Sequence, residues 1–274
     1  MINLFVSLAA VFAILLGQAA TPSSSTYVFN MYDSRAVRYQ NPDKTACTAT
    51  VTMIMLNTIY YASSPTWTPG TSSAAADATY VWRPTVTYKA QEAILRWERG
   101  HMTMPLYKPG ADVHGWRNAL NYFGWGSVTA GAYADLSYTT FAQAAVATVR
   151  SIALTDMPVG ILAWYGSHAQ VVTGYSVTGE DPRTGSTNFK INGVYLTDSL
   201  VEHKHRNDYV TYQEWRSGPM DVRFMPYYQS EGIYKDPIDG KVGRREWWAK
   251  FVIVGPVLPQ SGSSGQAPQT GGRV

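Results

Sequence analysis

Apolar residues recur at helical spacing through the first half of the chain. Val51, Ile54, Met55 and Ile59 fall in step with Cys47, and this spacing predicts a helix over 46–61 with that stripe facing inward and Thr45 as its N-cap. Two further segments, 88–99 and 112–123, are each closed by a glycine, Gly100 and Gly124, the usual C-terminal signal. Thr139 or Thr140 caps another helix running to about Leu154, built on Phe141, Ala145, Val149 and Ile152. After Pro158 the pattern changes to short apolar runs. Residues 159–164 and 169–175 are separated by Tyr165-Gly166-Ser167 and read as strands of a hairpin. A turn-rich stretch over 179–185 leads into strand-like alternation over 189–198, and 246–257 ends in another apolar run. Helices followed by strands imply an α+β fold with an antiparallel sheet.

The two ends of the chain read differently. Residues 4–17 are almost wholly apolar and uncharged, too short for a span of roughly 20 residues and suited to the core of a signal peptide. Gly17 and Ala19 favour cleavage after Ala19, giving a signal peptide over 1–19 and a secreted, extracellular protein. Met1-Ile2-Asn3 carries no Lys or Arg, so an uncleaved membrane anchor is the rival reading. Residues 63–76 form a Ser-, Thr-, Pro- and Gly-rich surface loop, and 259–274 a Gly-, Ser- and Gln-rich disordered tail beyond a domain over 27–258.

Composition narrows the function classes. The 274 residues include 22 Lys plus Arg against 19 Asp plus Glu, a formal charge of +3 with scattered basic residues, so no nucleic-acid footprint is expected. There is a single cysteine, Cys47, which excludes an intrachain disulfide and leaves one unpaired thiol in an oxidising compartment. No GxSxG elbow and no P-loop occur. Glu202-His203-Lys204-His205 reads as a solvated charged turn, since no third zinc ligand stands at a recognisable spacing. His101 and His114 have no motif partners, and Trp247-Trp248 reads as core ahead of a sugar-binding face. Neither a metal nor a cofactor is expected.

Cys47 stands at the first turn of a predicted helix, where the orphan amides and the dipole favour a thiolate. A buried, inert thiol is the competing reading. His168 opens the second strand of the apolar hairpin, and Asp198 closes the next strand thirty residues later. Neighbouring antiparallel strands bring Asp198 to one imidazole nitrogen while the other faces Cys47, an arrangement of nucleophile, base and orienting acid. Gln40, seven residues before Cys47, is a candidate to join the Cys47 N–H in binding an oxyanion.

The order Tyr39-Gln40-Asn41-Pro42, Cys47-Thr48-Ala49-Thr50, Met157-Pro158-Val159-Gly160, His168-Ala169-Gln170-Val171-Val172-Thr173-Gly174-Tyr175 and Gly193-Val194-Tyr195-Leu196-Thr197-Asp198 resembles the peptidase C39-like group of papain-like cysteine peptidases. The likeness spans about 36–215 and includes Tyr209 to Trp215, similar to a helix that follows in such proteins. It departs at Thr48, where such proteins commonly have Gly or another characteristic residue, and at Ser199, where Pro is common. The resemblance implies a papain-like fold with an N-terminal helical part carrying the nucleophile helix and a C-terminal antiparallel sheet. It also implies Cys47 as nucleophile, His168 as general base and acid, Asp198 as orienter and Gln40 as oxyanion donor. The expected function is a secreted cysteine peptidase or amidase acting on a peptide or protein substrate, including one at the cell wall. Acyl transfer and a non-catalytic exported binding module on the same fold are the alternatives, with membrane contact only if the leader stays uncleaved.

Overall fold

The computed structural model describes residues 25–40, 45–62, 88–102, 110–129, 131–200, 205–228 and 246–258. The expected leader, the loop over 63–76 and the tail over 259–274 lie outside the described residues. Among the described residues, seven antiparallel strands form one sheet: β1 (Ser25–Asn30), β2 (Tyr133–Tyr138), β3 (Val159–Ala163), β4 (His168–Gly179), β5 (Phe189–Asp198), β6 (Arg206–Thr211) and β7 (Phe251–Pro256). Their order is β2-β7-β3-β4-β5-β6. The long strand β4 pairs with β5 along one edge, while its other edge is shared by β3 over the first half and β1 over the second. Among the described residues the α-helices are α1 (Cys47–Ala62), α2 (Tyr88–Gly100), α3 (Val113–Trp125), α4 (Phe141–Thr155) and α5 (Tyr212–Ser217). The fold is therefore α+β with an antiparallel sheet.

Each face of the sheet is covered. Ala169, Val171, Leu162, Val252 and Val254 pack against α1, α2 and α3, whereas Val159, Ile161, Val172, Val194, Leu196 and Ile253 pack against α4 and Trp215 of α5. Cover on both faces explains why β4 is buried from His168 to Val177 with no polar-out alternation. Helix α1 is likewise buried at every residue from Cys47 to Ile59, so the inward stripe read from the sequence is only part of a helix enclosed all round.

Several boundaries differ from expectation, each for a local reason. The amide of Thr50 donates to Ala46 O at 2.9 Å, so Ala46, not Thr45, holds the cap position and Cys47 is the first helical residue. Helix α3 runs through Gly124 to Trp125, because Gly124 is there for close approach: a Cβ would stand 2.9 Å from Leu56 Cδ2 of α1. The terminator is Gly126, at φ 72° in the left-handed region. Thr140 does cap α4, through a reciprocal capping box with Gln143. The segment over 209–215 likened to a helix divides: its first three residues end strand β6, and helix α5 starts only at Tyr212, where Thr211 caps it through a capping box with Glu214. Strands β1 and β2 have no counterpart in the sequence reading; their short, partly exposed segments lack a continuous apolar run.

Candidate active site

The site is assembled from one helix start and two strand ends. Cys47 opens α1, His168 opens β4, and Asp198 closes β5 directly opposite Gln170 in the β4–β5 register. His168 Nε2 lies 2.8 Å from Asp198 Oδ1. His168 is also in side-chain hydrogen-bond contact with Cys47, which leaves Nδ1 as the ring atom for the sulfur. All three are buried: Cys47 is 7% exposed, His168 3% and Asp198 1%.

The acid is held by more than the imidazole. Gln170 Nε2 donates to Asp198 Oδ2 at 2.8 Å, and the Leu200 amide donates to Oδ1 at 2.8 Å. The same Gln170 nitrogen donates to Asp221 O at 2.6 Å, and the Asp198 amide donates to His205 O at 2.8 Å. Burial works against the carboxylate, but the bonds from His168, Gln170 and Leu200 outweigh it and hold Asp198 well below the usual carboxylate range. For His168, burial likewise opposes the cation, while the hydrogen bonds to Asp198 and Cys47 favour it and push the imidazole up to about 9. At neutral pH the ring is an imidazolium set between a carboxylate and a sulfur.

The ring is fixed from its face as well. Trp164 stacks on His168 with centroids 4.5 Å apart and planes 28° apart. That position requires a tight turn between β3 and β4, and Trp164 and Tyr165 both adopt left-handed φ, 51° and 56°. Two consecutive non-glycine residues in that region cost energy, which the surrounding packing holds in place. The stacked indole covers one face of the His168 ring, whose buried pairing with Asp198 is strengthened by the dry surroundings.

Gln40 is placed beside this network. Its backbone amide donates to Ser199 O at 2.9 Å, tying the segment before α1 to the residue after Asp198 through main-chain groups that any residue pair would supply. Of the two departures from the C39-like pattern, Thr48 makes a side-chain contact, donating its hydroxyl to Glu98 Oε2 of α2 at 2.7 Å. Thr52, one turn further along α1, donates to Glu98 Oε1 at 3.2 Å. Complete burial pushes the Glu98 carboxyl up to about 8, so it is a neutral acid at physiological pH, braced against the first turn of the cysteine helix.

The sequence reading missed Gln170, Trp164 and Glu98. Gln170 carried a usable signal, since its two-residue offset from His168 on one strand puts both side chains on one face of the sheet. The remaining candidates sort differently. His205 is clamped between Asp208 Oδ2 at 2.6 Å and Asp221 Oδ2 at 2.9 Å, while 202–204 lie outside the described residues. The tryptophan pair divides, Trp247 being buried and Trp248 41% exposed. His101 stacks on Trp97, and His114 gains two carboxylate neighbours, Asp135 and Glu246.

Comparison with known proteins finds no matching family model, no matching curated protein and no matching solved structure.

Proposed function

We propose that this chain is a cysteine peptidase or related amidase with a papain-like, C39-like catalytic arrangement. The observation that carries the reading is the imidazole of His168, in hydrogen-bond contact with Cys47 and 2.8 Å from a fully supported Asp198. An imidazolium next to a cysteine at a helix start favours the thiolate, the reactive form. The thiolate attacks the substrate carbonyl, forming a C–S bond and moving the π electrons onto oxygen. The Cys47 amide and the Gln40 side chain are assigned to that oxyanion. Collapse breaks the C–N bond as His168 passes its proton to the departing amine, leaving a thioester and a neutral imidazole. Water then gives a proton to His168 and its oxygen to the acyl carbon, and the C–S bond breaks to release the acid and restore the thiolate. Asp198 holds the ring tautomer and orientation throughout.

The competing exported binding module needs Cys47 out of reach of His168, and their hydrogen bond weighs against it. The test is timed alkylation with iodoacetamide followed by mass spectrometry. Cys47 is expected to label faster at pH 6 than a free cysteine in a short peptide, and His168→Ala is expected to remove that advantage. Equal, slow labelling of both proteins would overturn the reading.

A further inference from the structure

We propose that His114, Asp135 and Glu246 form a binding site for a divalent transition metal of the zinc type, separate from the cysteine site. These residues come from three parts of the fold: the first turn of α3, the middle of β2 and the segment that leads into β7. Their donor atoms converge. His114 Nε2 is 3.5 Å from Asp135 Oδ2 and 3.4 Å from Glu246 Oε2, and one donor atom from each residue lies within 4.8 Å of the other two.

Those separations are too long for good N–H···O hydrogen bonds, which fall at about 2.7–3.2 Å. They are instead the spacing of metal ligands. Two donors at about 2.0–2.1 Å from a tetrahedral zinc stand roughly 3.3 Å apart. A single ring nitrogen can present only one proton, yet here it faces two carboxylate oxygens at nearly equal distance. A cation shared by all three donors satisfies that arrangement.

The surroundings suit an outer shell. Arg117 Nη1 holds Asp135 Oδ1 at 2.6 Å, leaving Oδ2 directed at the site, where it also accepts a 3.3 Å bond from the Trp247 indole. Trp247 in turn lies against the His114 ring, with centroids 4.6 Å apart. Such partners orient metal ligands and commonly matter to affinity by about 10–100-fold. Arg117 offsets one of the two carboxylate charges, and Glu246 adds a second carboxylate beside the ring nitrogen, a donor set suited to a cation. Asp135 is nearly buried, with its side chain 6% exposed, whereas Glu246 at 45% sits at the mouth. Three protein ligands leave a fourth position on the solvent side, the pattern of a metal that keeps a water.

The test uses the full chain carrying Cys47→Ala, which removes the thiol as an alternative zinc ligand. Titration calorimetry with zinc chloride is expected to give one ion per chain, and added zinc is expected to raise the melting temperature. His114→Ala and Glu246→Ala should each weaken binding at least about 10-fold and abolish the melting shift. Glu246 is exposed enough that its replacement leaves the fold intact, which guards against loss of binding through unfolding of the His114 variant. Absence of zinc binding to the Cys47→Ala protein, or unchanged affinity in the Glu246 variant, would overturn the proposal.

Discussion

At the scale of single residues, the ionisation of His168 links structure to expected behaviour. Its folded value of about 9 stands above the ordinary imidazole value of 6.5, because Asp198 and Cys47 outweigh burial. The charged ring therefore stabilises the fold fully below about pH 6.5, and that contribution is lost as pH rises through about 9. Because the proposed chemistry needs the imidazolium as proton donor, activity should fall along the same alkaline limb. Asp198→Asn keeps the shape and removes the charge, so it should move the limb to lower pH and reduce kcat/KM by about 10²-fold or more. A pH–rate series on both proteins checks this; an unmoved limb would dismiss the role given to Asp198. The legibility of these residues follows from their kind. Cys47, His168 and Asp198 could be picked out because a thiol at a helix start and ionisable groups at apolar strand ends conflict with local expectation. Trp164 could not, because its stacking depends on a left-handed turn that a Trp-Tyr-Gly string does not announce.

Among the elements, the contact between α2 and α1 turns on a residue type that usually reads as surface. Glu98 sits near the end of a charged helical segment, and nothing in that pattern signals that its carboxyl is enclosed by Thr48 and Thr52. Its folded value of about 8 against 4.5 means the folded state binds the proton more tightly. The unfolded chain releases that proton first as pH rises, so stability declines from about pH 4.5 to about 8. Glu98→Gln preserves a neutral hydrogen-bonding group and removes the titration. Thermal melting from pH 5 to 8.5 should show the native protein losing stability relative to the variant by a few kcal/mol. Parallel curves would show that Glu98 does not titrate in that window. The same limit on reading elements explains the strands. β3, β4 and β5 are legible as apolar runs, while β1 and β6 are held at the sheet margins by backbone pairing and leave little trace in side-chain pattern.

For the molecule as a whole, the sheet separates two bodies of apolar packing. One core, beneath α1, α2 and α3, includes Cys47 itself, while the other lies beneath α4 and α5. Strand β4 belongs to both, with Val171 on one side and Val172 on the other, so neither core is independent of the sheet. A cavity made far from the cysteine should therefore lower global stability without altering the native site. Ile152, fully buried in α4 against the second face, is the position to use. Ile152→Ala should cost about 2–5 kcal/mol in unfolding free energy, through lost transfer energy and the cavity left behind. In native buffer, its Cys47 alkylation rate should match that of the parent protein, and fluorescence and circular dichroism should report one shared unfolding transition. If alkylation accelerated in step with the loss of stability, Cys47 would be reacting through global opening. The pre-formed site at the start of α1 would then not be the species that reacts.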